Sequence, residues 1–442
     1  MSRRDDVMAL FDKNEAQTEE RVNAGIEQNR KGFCRVEIVD GDGKKVSGAK
    51  VHAVLKKHEF KFGANLFMLD ELESDEKNEK YKEYFKDLFN MATLPFYWNA
   101  LEPEKGKQRY DRDSCKIYRR PAPDLCLEYC EKYGIEPREH ALAYEHSFPE
   151  WLRGKDSYTV KKELSRRMRE IGERYGAKIP TMEVTNEMDW NDGAVKIDFY
   201  KDDNYVEWCF KEAEKYMGAN KLAINEWSGV WDAYGRNRDW YYMEIERALS
   251  KGARIDAIGM QYHMFYRAEE EFEKTRNFYN PNHLYKILDR YSDFNLPIQV
   301  TEITIPSYTD KAEDEELQAE IIRKLYSIWF SHKNVEQIIY WNLVDGYAAF
   351  APQGDMTNGE NYYCGGLISF DFRKKPAYKT LMELIHKQWH TDEKITANAD
   401  GEAEFKGFYG TYELEVEANG KKETREINFT KYAPDKITVS ID

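Results

Sequence analysis

Apolar and polar positions change rhythm twice along this chain. Residues 1–31 are charged and helix-prone, and are expected to pack on the outside of something larger. From Gly32 the period becomes two. Cys34-Arg35-Val36-Glu37-Ile38-Val39 alternates, Asp40-Gly41-Asp42-Gly43 supplies a turn, and Ala49-Lys50-Val51-His52-Ala53-Val54 alternates again, which predicts a β-hairpin. The same period returns at the far end, in Ile395-Thr396-Ala397, Ala403-Glu404-Phe405, Tyr412-Glu413-Leu414-Glu415-Val416 and Glu426-Ile427-Asn428-Phe429, with Asp-Gly and Asn-Gly turns between. The two terminal segments are expected to build one small β-sandwich.

Between them, short apolar runs alternate with helical stretches. Candidate strands cover 60–66, 88–94, 138–144, 181–187, 221–226, 255–264, 297–303 and 337–343. The clearest helix follows the third: Val160, Leu164, Met168, Ile171 and Tyr175 recur at 3.6-residue spacing, with Gly176 as the stop, and Gly134, Gly218 and Gly252 close other helices. Eight strand-then-helix units predict an α/β fold, a (β/α)8 TIM barrel with parallel strands. An open doubly wound sheet would want a glycine-rich phosphate loop after its first strand, where Phe62-Gly63-Ala64-Asn65 has one glycine. The expected division is an N-terminal helical segment 1–31, sandwich strands in 32–57, the barrel in 58–390, and the remaining sandwich strands in 391–442.

A barrel strand delivers chemistry at its carboxyl end. Two runs stop at a glutamate there: Val184-Thr185-Asn186-Glu187 and Val300-Thr301-Glu302. Read as a pair, these carboxyls suit glycoside cleavage, in which one protonates the departing oxygen while the other attacks or stabilises the sugar's positive charge. The same rim is expected to carry His140, Asn225-Glu226, Gln261-Tyr262-His263 and Trp341.

The chain has 442 residues, long for one core and suited to a barrel with a satellite. A formal net charge of −15 argues against nucleic acid and anionic membrane surfaces as partners, and favours neutral or weakly charged substrates. Aromatic residues, at 14%, suit stacking on sugar rings. Met1-Ser2-Arg3-Arg4-Asp5-Asp6 has no apolar segment behind it, so a cytoplasmic protein is expected, or a secreted one if a leader has been removed. Six cysteines without a C-x-x-C pair and nine histidines without H-E-x-x-H predict no metal and no cofactor.

The rim residues also resemble a known family. Trp98 with Leu101-Glu102-Pro103, then Arg138, His140, Thr185-Asn186-Glu187, Asn225, Ile255 through His263 with its Gln-Tyr-His ending, Thr301-Glu302, Trp341 with Asp345, and Lys375-Pro376-Ala377-Tyr378 are similar to glycoside hydrolase family 10, the retaining β-xylanases. The resemblance implies that Glu187 is the acid/base and Glu302 the nucleophile, and that the acid, beside a second carboxylate, holds its proton at neutral pH. It further implies that Asn186 bonds the sugar's 2-hydroxyl, that His263 orients Glu302, that Gln261 and His140 hold the first sugar, and that Trp341 floors it. Departures concentrate further out. Thr93-Leu94-Pro95-Phe96-Tyr97 replaces a polar Glu-Asn-x-x-Lys stretch, Tyr144 and Ser147 replace Trp and Gln, and Ala349 replaces a second Trp, with Phe350 beside it. The chemical site matches the family, whereas the outer glycone subsite does not.

Overall fold

Two helices, α1 (Arg3–Lys13) and α2 (Glu15–Asn29), open the computed structural model, which describes residues 2–188, 196–232, 239–432 and 436–441. They lie on the outside, as their charge requires. Arg3 reaches Glu271 at 2.7 and 2.9 Å and Asp314 at 2.8 Å, while Val7, Met8 and Phe11 are buried.

Two strands follow, β1 (Lys31–Asp40) and β2 (Lys50–His58). They do not pair with each other, so the expected hairpin is corrected. β1 lies in a three-stranded sheet between β12 (Glu402–Phe408) and β15 (Ile437–Ile441), antiparallel to the first and parallel to the second. β2 lies in a four-stranded sheet between β11 (Asp392–Thr396) and β13 (Gly410–Ala418), with β14 (Lys421–Phe429) on the edge. The reason is burial. Cys34, Val36 and Ile38 on β1 and Val51, Ala53 and Leu55 on β2 all need cover, and strands in facing sheets can meet apolar face to apolar face where a lone two-stranded ribbon cannot. Phe405 of the first sheet packs on Tyr412 and Phe429 of the second, with ring centroids 5.2 and 6.2 Å apart.

Eight parallel strands close the barrel in the order β10-β3-β4-β5-β6-β7-β8-β9. They are β3 (Lys61–Asn65), β4 (Met91–Pro95), β5 (Glu136–His140), β6 (Thr181–Asn186), β7 (Lys221–Glu226), β8 (Ala257–His263), β9 (Ile298–Thr304) and β10 (Val335–Tyr340). Each falls on one of the eight predicted runs. Trp341 sits one residue past β10 rather than within it. The predicted helix is Ser157–Tyr175, capped by Asp156, with its five apolar stripe residues fully buried. Gly134 and Gly252 close their helices with positive φ, 63° and 82°. Gly176 and Gly218 do not. The Asn220 side chain takes the carbonyls of Gly176 and Ile179 at 2.7 and 2.8 Å, so no left-handed cap is needed there.

Arg30, at the junction of α2 and β1, ties the terminal segments to the barrel. Its guanidinium donates to the carbonyls of Phe330, His332 and Val335 at 2.5, 2.6 and 2.6 Å and lies over the Phe60 ring. Among the described residues no helix is long and apolar enough to cross a membrane.

Candidate active site

The carboxyl ends of the strands surround a cleft of about 750 Å³. His140, Tyr144, Asn186, Glu187, Gln261, His263, Glu302 and Trp341 line it, whereas Asn225, Glu226 and Tyr262, also expected on this rim, are buried behind the lining.

Amides link the two glutamates. Gln261 Nε2 donates to Glu187 Oε1 at 3.0 Å and lies 3.2 Å from Asn186 Oδ1. Asn225 Nδ2 lies 2.9 Å from Asn186 Oδ1 and 3.1 Å from Glu302 Oε1, while its own oxygen accepts from Thr301 at 2.6 Å. Asn186 therefore spends its oxygen on neighbouring amides and keeps its NH2 group to offer.

Glu187 stands just past β6 with φ 50°, a left-handed conformation that costs a non-glycine residue about 1 kcal/mol or more. The turn aims its carboxylate back over the rim. There Oε2 accepts from the Tyr144 hydroxyl at 2.8 Å.

Below lies a buried row of charge. Arg138 and Glu183, both inaccessible to solvent, approach to 2.5 Å as an ion pair whose angles fall short of a hydrogen bond. Glu183 meets His140 Nδ1 at 2.8 Å, and His140 Nε2 meets the Tyr97 hydroxyl at 3.0 Å. Burial opposes ionisation of Glu183, but Arg138 and His140 outweigh it and lower its pKa. Burial likewise disfavours charge on His140, yet Glu183 and Glu302 raise its pKa. His140, Glu183 and Glu302 could together span a metal ion. His140 Nδ1 and Glu183 Oε1 are already engaged with each other at 2.8 Å, and the guanidinium on the other Glu183 oxygen opposes a second cation.

Glu302 is held by Asn225 and by His263 Nε2 at 3.2 Å. Burial, the largest influence, drives its carboxyl up to about 8. Glu183 and Glu187 add to the rise, while His140 and Arg138 oppose it. The raised carboxyl belongs to β9 and is buried within the rim. Burial lowers His263 to about 4, which leaves a neutral ring between Thr304, at 2.9 Å, and Glu302. Trp341 meets the rings of Phe67, His140 and His263 edge-on at 5.2, 5.5 and 5.7 Å.

Several quoted motif residues serve the frame instead of the cleft. Trp98 donates to Glu102 at 3.0 Å, Arg166 grips the same carboxylate at 2.8 Å, and Lys375 is buried on Asp345 at 3.1 Å. Conversely, Glu183, Arg119, Arg120 and Trp227 belong to the site or its walls and were not singled out. An acid inside a parallel strand, on the strand next to one that carries an arginine, was a legible signal for Glu183. The arginines sit in a long loop, where no periodicity points to them.

The family model for glycosyl hydrolase family 10 matches residues 52–384. The chain is 25% identical over 409 residues to "Anti-sigma-I factor RsgI6" of Acetivibrio thermocellus, covering 91% of this chain and 47% of that protein. It is 24% identical over 394 residues to "Endo-1,4-beta-xylanase 2" of Arabidopsis thaliana, covering 86% and 32%. It thus spans less than half the length of each. Among solved structures, xylanase 10B from Thermotoga petrophila in complex with xylobiose superposes with a TM-score of 0.60 at 20% identity, over 75% of this chain and 95% of that one, a likeness of fold.

Proposed function

The chain belongs to glycosyl hydrolase family 10, and on that footing we propose that it is a retaining glycoside hydrolase that cleaves β-1,4-linked, xylan-type oligo- or polysaccharides. The observation that carries this reading is the pair Glu187 and Glu302 in one cleft, joined through Gln261, Asn186 and Asn225.

In the first step Glu302, ionised, attacks the anomeric carbon while Glu187 gives its proton to the departing glycosidic oxygen. In the second, Glu187 takes a proton from water, whose oxygen displaces Glu302 from the same carbon. Asn186 offers its NH2 to the 2-hydroxyl, His263 steadies the nucleophile, and Gln261, His140 and Trp341 seat the first sugar. Burial favours a proton on Glu302, so that proton must leave the nucleophile before it attacks. The Tyr144 hydroxyl lies 2.8 Å from Glu187, within hydrogen-bond reach of the second carboxyl.

The test is to follow hydrolysis of a xylo-oligosaccharide by proton NMR. The first product should be the β-anomer, and an α-anomer would overturn the mechanism. The relative named as an anti-sigma factor favours a second reading, a barrel that recognises carbohydrate without turning it over. A folded protein that binds xylo-oligosaccharides and hydrolyses no β-glycoside would establish it.

A further inference from the structure

Among the described residues two arginines line the cleft, Arg119 and Arg120, and they are employed differently. Arg119 is buried and committed. It donates to Asn342 Oδ1 at 3.2 and 3.3 Å and to the Tyr347 carbonyl, pinning the segment after β10. Arg120 lies over the face of Tyr97, its guanidinium carbon 3.9 Å from the ring centroid and 5.3 Å from that of Phe67. Among the described residues its side chain makes one hydrogen bond, from Nη1 to the Arg119 carbonyl at 2.7 Å. Among the described residues no carboxylate comes within ion-pair distance of it. The acid that acts on it most, Glu360, already accepts from Asn342 at 3.0 Å and from the Ala349 amide at 3.3 Å.

The placement is specific. Tyr97, the shelf beneath the guanidinium, bonds His140 with its hydroxyl, so Arg120 is two side chains away from Glu302 on the side where Trp341 floors the first sugar. Residues 93–97 are all buried, and among the described residues Asn99, Arg119 and Arg120 are the polar side chains that line both cavities here. Beyond them the cleft runs on into a second cavity of about 490 Å³, lined by Asn99, Arg119, Arg120, Ala349 and Phe350 among others. A guanidinium stacked on an aromatic face keeps its edge free, and that edge matches a carboxylate with two parallel hydrogen bonds. A neutral sugar hydroxyl needs no such charge. Holding an unpaired cation here has a cost, since burial, foremost, and the neighbouring Arg119 pull its pKa down to about 10.

We propose that Arg120 recognises the carboxylate of a hexuronic acid at the glycone end of the cleft. This rests on the glycoside hydrolase reading above and adds its substrate class: an acidic sugar, present either in the cleaved backbone or as a branch upon it.

The experiment compares matched substrates on the wild-type enzyme. One is a xylo-oligosaccharide with a glucuronic acid branch, the second a xylo-oligosaccharide ending in β-glucuronic acid on the glycone side. Each is run beside its counterpart with the carboxyl reduced to the alcohol. At least one acid form should exceed its reduced counterpart in kcat/KM by tenfold or more, and which one does so assigns branch or backbone. Arg120→Gln should shrink that ratio to near one, and Arg120→Lys should restore part of it. Reduced substrates turned over as well as the acids would overturn the proposal while leaving the hydrolase reading intact. If nothing is hydrolysed, the hydrolase reading falls. Calorimetric binding of the same four oligosaccharides then decides the acid preference: a tenfold difference in Kd supports Arg120's role, and equal affinities refute it.

Discussion

Glu302 is more stable protonated than ionised inside the folded barrel, since burial drives its carboxyl up to about 8 from an ordinary 4.5. Below the unfolded value both states carry the proton and nothing is lost. Between about 4.5 and 8 the folded state binds the extra proton, so stability falls as pH rises through that window and the loss is complete above it. Glu302→Gln cannot ionise and should escape the fall. Thermal unfolding across pH should show the variant level with wild type near pH 4 and more stable near pH 9 by about 2–4 kcal/mol. A gap that stays constant with pH would contradict this account. Glu187 calls for a kinetic measurement. Glu187→Ala should keep most of its rate on aryl glycosides whose leaving group needs no proton, lose about 100-fold or more on unactivated oligosaccharides, and recover in part with azide. An equal loss on both kinds of substrate would count against its assignment. The two glutamates were legible because each ends an apolar run, whereas Arg120 was not, because its partners Tyr97 and Phe67 come from the segments after β4 and β3, distant in sequence.

The strands show why a side chain can be legible while its setting is not. Gly259 reads as one more residue of β8, but its reason lies on β7. A Cβ there would come within 2.4 Å of Asn225 Oδ1 and 2.9 Å of the Ile224 carbonyl. Asn225 can stand between Asn186 and Glu302 only because Gly259 leaves the space. Gly259→Ala should therefore displace Asn225, lower kcat tenfold or more, and destabilise the fold by about 1–3 kcal/mol. Full activity in that variant would show that the amide chain between the glutamates is dispensable. Most of the barrel strands were readable because burial on both faces favours apolar side chains, whereas β5, Glu136-Pro137-Arg138-Glu139-His140, is largely polar and starts two residues before the run expected at 138–144. The pairing of β1 was not. Alternation tells which face of a strand is covered and is silent on which strand covers it, and here the partners β12 and β15 lie more than 360 residues away.

At the scale of the whole molecule, segments from both ends of the chain meet in one pair of sheets, with Arg30 fastened to the barrel beside them. Arg30→Ala would leave the carbonyls of Phe330, His332 and Val335 without their donor. We expect it to destabilise the protein by about 3 kcal/mol or more, with kcat on small substrates unchanged because the active cleft lies at the opposite end of the strands. Denaturant unfolding and steady-state kinetics together check this, and a loss of activity without a loss of stability would refute it. The parallel register of β1 with β15 has a mechanical meaning as well. Val36 faces Ile437 and Asp40 faces Ile441, so tension applied through residues before β1 and after β15 draws these neighbours past each other lengthwise. Their hydrogen bonds are then loaded together and not opened one by one, and α1 and α2 should unravel at low force before the sheet yields in a single high-force event. Stretched between its ends, the barrel would be shielded from load until that one strand pair shears.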